Sequence, residues 1–243
     1  MLARTDENLM AVTLVEGWSF RQWRAALDKA DFLGHDTASL SEEDLANRLG
    51  LTSSALEGRF YPDNYTYNKG ASDLQVLQRA LRAMDKQLAI AWSRREADLP
   101  LARPEDALIL ASLIEKETGR ASDRAMISSV FHNRLRLGMP LQTDPTVIYG
   151  MGAAFDGNLR RRDLRSDHAW NTYTRRGLPP TPIAMPGQPA LWAALHPAHS
   201  QALYFVARGD GSSQFSETLE QHNQAVDRYQ RRARPEGAAK RAQ

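Results

Sequence analysis

The sequence predicts an α+β fold, a helix-rich domain with a small sheet, on three observations. Three helical patterns follow one another between residues 72 and 138, one clear strand (LYFVA, 203–207) stands near the C-terminal end, and residues 139–187 between them are turn-rich with only short apolar pieces. A chain of 243 residues, 42 % apolar, can bury the core of one good-sized domain with a small satellite.

In chain order, Val12 to Val15 is a short apolar stretch, and Ser19-Phe20-Arg21-Gln22 is a capping box opening a helix to about Ala30. A second short helix follows Ser41 and stops at Gly50, which can take the left-handed conformation after a helix end. Residues 53–70 (with LEGRFYPDNYTYNKG) read as an aromatic loop with several rings to bury. Ser72 opens the longest amphipathic helix, with Leu74, Leu77, Leu81, Met84, Leu88 and Trp92 at spacings of three and four. Pro104, with Glu105 and Asp106 in the first turn, starts a helix that is apolar nearly all round, hence buried, and ends at Gly119. Ser122 caps a third, with Ile127, Val130, Phe131 and Leu135 on one face and Gly138 past its end. After the 203–207 strand come a Gly-rich turn and a closing helix from about Thr218, then a frayed Arg-rich tail.

Composition excludes several classes of function. The pI near 9.0 suggests a nucleic-acid partner, but 31 basic against 29 acidic residues leave only +2. The segment from Arg228 onward carries +5, so the body is −3 and has no basic footprint for nucleic acid. Zero cysteines remove disulfides, thiol nucleophiles and Cys-bearing zinc sites. The longest apolar run, ALILASLI (107–114), falls short of the ~20 residues that span a bilayer, and the opening lacks a signal-sequence pattern. Of the six histidines only His196 and His199 lie close, in a Pro-interrupted segment, so neither metal nor cofactor is expected.

The candidate chemistry centres on Leu113-Ile114-Glu115-Lys116-Glu117-Thr118-Gly119. At 100° per residue Glu117 falls within about 60° of Leu110, Leu113 and Ile114, while Glu115 points about 160° away from it. The two glutamates therefore cannot flank one bond. A carboxyl on an apolar face keeps its proton towards neutrality, which is what a general acid needs. The pattern leaves open that both simply sit in water at a helix end. Gln142-Thr143-Asp144-Pro145-Thr146 and Asn171-Thr172-Tyr173-Thr174 are dense in donors and acceptors, with Tyr149 and Trp170 nearby. That mixture suits a sugar or peptide ligand, and on spacing alone it reads equally as turn chemistry. Arg160-Arg161-Arg162 reads as a solvated run, or as a contact for an anionic polymer.

LEGRFYPDNY (56–65), LILASLIEKETG (108–119), SSVFHNRLRLGMPLQTDPTVIYGMG (128–152), NTYTRRGLPP (171–180), HPA (196–198) and LYFVARGDGSSQFSETLEQHN (203–223) together resemble the endolytic murein transglycosylases, the YceG-like family, over residues from about Leu14 to Tyr229. The resemblance implies cleavage of the β-1,4 bond between N-acetylmuramic acid and N-acetylglucosamine inside glycan strands, leaving 1,6-anhydromuramyl ends. It assigns the acid to the second glutamate of Glu-Lys-Glu, Glu117, the one that helix geometry puts on the apolar face. It also implies that Gln142, Thr143, Asp144, Thr146, Asn171 and Tyr173, with Tyr149 and Thr172 beside them, hold the glycan. The implied partners are peptidoglycan strands and cell-wall synthases, at the periplasmic face of the inner membrane. Family members begin with a membrane anchor and a LysM-like region. Against that pattern the residues here are expected to lack the anchor and to be soluble, with a LysM-like remnant over 1–50, a catalytic domain over 51–231 and a basic disordered tail over 232–243. Thr181 and Met185 depart from the family pattern near the cleft. The competing readings are a hydrolase using Glu117 and Asp144, a glycan-binding module without catalysis, and, last, a nucleic-acid binder.

Overall fold

The structure, a computed structural model, describes residues 9–231; the tail expected over 232–243 lies outside them. Its first part runs β1 (Leu9–Leu14), α1 (Phe20–Asp28), α2 (Glu42–Arg48) and β2 (Asp63–Asn68). The strands pair antiparallel, with Val12 opposite Tyr65 and Leu14 opposite Asp63. Alternation turns Val12, Leu14, Tyr65 and Tyr67 inward against α1. Ser19 and Gln22 form the expected capping box, Gln22 Oε1 accepting from the Ser19 N–H at 2.9 Å. Ser41 caps α2. The centre of this core is Trp23, fully buried, its indole N–H donating to the Val15 carbonyl at 3.1 Å. Phe60 lies against Trp23 and stacks on Phe20 at 5.3 Å.

Helix α3 (Asp73–Ser93) is the spine. Its first half (Val76, Leu77, Ala80, Leu81) packs into the β1–β2 core, and Met84, Leu88 and Ala91 pack into a second core. Asp73, at its start, is buried and accepts from the Thr37 hydroxyl at 2.6 Å, which joins the loop before α2 to α3. The second core is built around α4 (Pro104–Glu117), in which every residue from Ala107 to Ile114 is buried. Against it pack α3, α5 (Ala121–Arg136), α6 (Asp144–Met151) and α8 (Gln188–Leu195), with the short α7 (Arg161–Arg165) beside α6. A hairpin of β3 (Tyr204–Ala207) and β4 (Ser213–Ser216) places Phe205 opposite Phe215, and α9 (Leu219–Val226), capped by Thr218, packs on it. Among the described residues no helix is long and apolar enough to cross a membrane.

The α+β class holds, and four local expectations are corrected. The loop expected over 53–70 contains β2, whose outward residues are polar and whose inward ones are tyrosines. The turn-rich stretch contains α6 and α7, and α8 follows it. The Gly-rich turn after β3 leads into β4. Helix α5 begins at Ala121, one residue before the expected cap, without a side-chain cap; Ser122 bonds Asp123 instead.

Two backbone hydrogen bonds, Gly17 N–H to Met185 O and Met185 N–H to Trp18 O, both 2.8 Å, tie the segment after β1 to the loop before α8. Met185 thereby enters the first core, fully buried. Gly58 makes the same loop approach possible: its φ is +77°, and a Cβ there would lie 2.4 Å from Pro182 Cβ. Gly58→Ala is expected to cost about 2–4 kcal/mol, from left-handed backbone strain plus overpacking, measured as a lower denaturant midpoint at unchanged slope; a midpoint equal to the parent's would show that the contact carries no such constraint.

Candidate active site

Glu117 is the last residue of α4, half-buried at the edge of the second core. Because α4 is apolar on all sides it is enclosed by its neighbours, and its final turn delivers a carboxyl into a poorly hydrated position. Burial pushes that carboxyl up to about 7, helped by the negative charge of Asp144 and opposed by a hydrogen bond from the Thr143 hydroxyl to Glu117 Oε1.

The Thr143 backbone is held on both sides by two hydroxyls that also bond one another. Its N–H donates to Thr172 Oγ1 at 3.1 Å, its carbonyl accepts from Thr146 Oγ1 at 2.7 Å, and the Thr146 and Thr172 hydroxyls bond one another at 2.8 Å. All three threonines are buried. Asp144, the first residue of α6, accepts from the Tyr173 hydroxyl at 2.5 Å. Burial and the Asp144 charge push the Tyr173 phenol up, so it stays a donor. Gln142 precedes Thr143 with φ +52°, a left-handed conformation costing a residue with a Cβ about 1–2 kcal/mol.

The expected site residues thus separate into three groups. Glu117, Thr143, Thr146 and Thr172 form one hydrogen-bonded network, with Gln142 joined by its N–H to the Thr172 carbonyl at 3.1 Å, and the Asp144–Tyr173 pair adjoins it as the next residue after Thr143 and after Thr172. Asn171 lies fully buried beneath them. Its amide donates to the carbonyls of Leu164 and Ser166 at 3.1 and 2.8 Å, and its Oδ1 accepts from the Tyr173 N–H at 2.8 Å, so it sets the backbone that presents Tyr173. Tyr149 points elsewhere, into a cleft of about 660 Å³ where its ring meets Trp170 edge-on at 5.5 Å and its hydroxyl bonds Glu57 and Thr181.

That cleft holds a residue the sequence reading passed over. Glu57, only 8 % exposed, accepts from the Phe20 N–H at 3.0 Å and from Tyr149, and burial pushes it up to about 7. The signal available was an acidic residue directly after a core leucine in an aromatic loop. Lys116 lines the same cleft and donates to the Gly17 carbonyl at 3.1 Å, so the cleft begins one residue from Glu117. On the other side of the site, Tyr173 lines a depression of about 430 Å³ with Arg161, Leu164, Arg165 and Thr174. The larger depression of about 800 Å³ between β4 and the C-terminal turn is lined by none of the site residues.

Glu115 points away from Glu117, as the helix phase requires, but it is not a water-bathed carboxylate. It accepts from the Gly187 N–H at 2.9 Å, and burial raises its pKa, with the nearby Glu16 charge adding to the effect. Among the described residues no group of three or more His, Asp or Glu could hold a metal ion. Arg160 pairs with Asp156 at 2.6 Å on the surface.

A match to the YceG-like family spans residues 1–228. An endolytic murein transglycosylase of Bacillus subtilis (strain 168) is 40 % identical over 176 residues, which cover 72 % of this chain and 48 % of that protein. One from Streptococcus pneumoniae (strain ATCC BAA-255 / R6) is 30 % identical over 177 residues, 70 % of this chain and 32 % of that protein. The chain therefore spans half or less of the length of these curated relatives. A crystal structure of a yceG-like protein from Listeria monocytogenes superposes with a TM-score of 0.69 at 30 % identity, covering 88 % of this chain and 74 % of that one. With the family match running from residue 1 to residue 228, the chain belongs to the YceG-like family.

Proposed function

We propose that this chain is a lytic transglycosylase of peptidoglycan in the bacterial cell envelope, cutting the β-1,4 bond between N-acetylmuramic acid and N-acetylglucosamine within strands. The observation that carries the reading is a carboxyl, Glu117, desolvated enough to hold a proton near neutrality and meeting the Thr143 hydroxyl beside Asp144. The names of the relatives support the substrate class. Residues 51–231 would form the catalytic part.

Glu117 donates its proton to the glycosidic oxygen as the bond from that oxygen to muramyl C1 breaks. The substrate's 2-acetamido group stabilises the positive charge developing at C1. Glu117, now a carboxylate, takes the proton of the muramyl C6 hydroxyl, whose oxygen bonds to C1 and closes the 1,6-anhydro ring. No water is consumed and the acid is regenerated, so one carboxyl suffices where a hydrolase needs two. Thr143 steadies the carboxylate formed midway through the cycle, while burial, helped by the Asp144 charge, keeps the resting acid protonated. Tyr173 and Gln142 are then placed to hold the glycan. Asp144 also carries the second reading, a hydrolase, because it is the other carboxylate at the site.

Mass spectrometry of digested sacculi separates the two: the transglycosylase gives 1,6-anhydro products, whereas a hydrolase gives products heavier by one water with reducing ends. Glu117→Gln is expected to lower the rate by roughly 10²–10⁴-fold with the fold intact, and Glu115→Gln by far less; parental rates in Glu117→Gln would remove the acid from Glu117.

The same proton has a stability consequence. A carboxyl whose folded pKa lies near 7 against 4.5 unfolded stabilises the fold fully below about pH 4.5, and loses that contribution as pH rises to about 7. Glu117→Gln removes the loss. Allowing for solvent screening at a half-buried site, the variant should gain about 1–2 kcal/mol on wild type between pH 4.5 and pH 8. Parallel denaturation curves at the two pH values check this, and a gap that stays constant would contradict it.

A further inference from the structure

Arg134 is a buried cation that packing alone does not explain. It lies on α5 at 7 % exposure, and the hydrogen bonds it makes all end on neutral oxygens. Its Nε donates to the Leu203 carbonyl at 2.7 Å. Its Nη1 donates to the carbonyls of Pro140 and Leu141 at 3.1 and 2.9 Å and to Gln142 Oε1 at 3.2 Å. The guanidinium lies 5.2 Å over the Tyr204 ring. Taking a cation out of water without a carboxylate partner is expensive, and burial lowers the pKa of this arginine. An apolar side chain would fill the space at less cost.

What a guanidinium supplies here is a planar fork of donors with fixed directions. Nε holds the Leu203 carbonyl, and Nη1, sharing its two N–H bonds among three acceptors, gathers two successive carbonyls and the side chain of the residue that follows them. That residue, Gln142, has the left-handed backbone, and beyond it stands Thr143, whose hydroxyl meets Glu117. Strain of this kind persists only where surrounding contacts hold it, and the contacts at this bend are the arginine fork and Thr172. We propose that Arg134 is a positioning residue: its fork pins residues 140–142 in the left-handed bend that aims the Thr143 hydroxyl at the Glu117 carboxyl. It acts through Gln142 and Thr143 and needs no contact with substrate. The effect on rate rests on the function proposed above; the effect on the carboxyl does not.

Carboxyl-¹³C-labelled glutamate reads that carboxyl directly, with the Glu117 resonance identified as the one missing from Glu117→Gln. Arg134→Lys keeps the positive charge and loses the fork. The other groups facing the pair, Asp144 and Tyr173 near Glu117 and Tyr204 and His222 near Arg134, are unchanged. Because the Thr143 hydrogen bond lowers the Glu117 pKa, its loss should raise the titration midpoint by about 0.5–1 pH unit, the equivalent of one hydrogen bond. On sacculi, kcat should fall roughly tenfold or more with KM within about twofold. Adding Gln142→Gly should bring the midpoint back towards wild type, since glycine takes the left-handed bend unaided. Should Arg134→Lys fail to fold, Gln142→Ala leaves the arginine and its packing in place and should move the midpoint in the same direction. A wild-type midpoint in either folded variant, or a double variant as displaced as Arg134→Lys, overturns the proposal. The titration needs no substrate, so a wild-type protein that released no anhydro products would sink the proposed activity while the midpoints still decided the role of Arg134.

Discussion

The structure depends on the enclosure of α4. A helix apolar on every side has to be covered on every side, and α3, α5, α6 and α8 do so. Its last turn then has nowhere to go but the edge of the core, and the residue that falls there is a glutamate. Two effects act on that carboxyl in the same direction. Desolvation disfavours its charge, and the carbonyl end of a helix presents partial negative charge to it. Asp144, the first residue of α6, stands instead at the start of a helix with a phenol donating to it. Two neighbouring carboxyl groups thereby stand at opposite helix ends, one receiving a hydroxyl donor and the other a phenol.

The same helix end links the two cores. Its last three side chains diverge: Glu115 reaches the Gly187 amide, Lys116 the Gly17 carbonyl, and Glu117 the Thr143 hydroxyl. Two of these contacts fall on the strip where the segment after β1 meets the loop before α8, the strip also closed by the Gly17–Met185 and Met185–Trp18 backbone bonds. Glu57 makes a further link, between the first turn of α1 and Tyr149 on α6. Moving the β1–β2 part would therefore disturb both ends of the site, the acid through α4 and the polar set through α6. Met185 fills the first core from this strip, and Thr181, four residues earlier in the same loop, accepts from the Trp170 indole at 2.9 Å.

What was legible in the sequence follows how local each cause is. Helices α1, α3 and α4 announce themselves because their signals lie within the segment: a capping box for α1, a cap and apolar period for α3, and Pro104, first-turn acids and an apolar run for α4. Strand β2 does not, because DNYTYN becomes a strand only when β1, some fifty residues earlier, offers its edge. Helix α8 (QPALWAAL) is too short and too uniformly apolar to show a period, and α6 carries a glycine inside it. Within the site, Glu117 was legible from helix phase. That Asn171 would be buried under Tyr173, and that Tyr149 would face Glu57 instead of Glu117, are facts of tertiary packing that no spacing encodes.

Arg134 marks the boundary between those cases. On a helical projection it lies within about 20° of Ile127, in the apolar stripe that also carries Phe131. A charge in such a stripe is either an error of reading or a residue whose cost is met elsewhere, and the sequence alone does not say which. The structure shows where: in the carbonyls of the bend before Thr143. A stretch that reads as turn chemistry has no regular backbone ladder of its own, so its shape must be imposed by side chains from regular elements. Here α5 supplies the arginine and the Asn171–Tyr173 turn supplies Thr172. An irregular segment can then present a hydroxyl to a buried acid as rigidly as a helix would, because its conformation is held by buried donors on its neighbours and not by its own sequence.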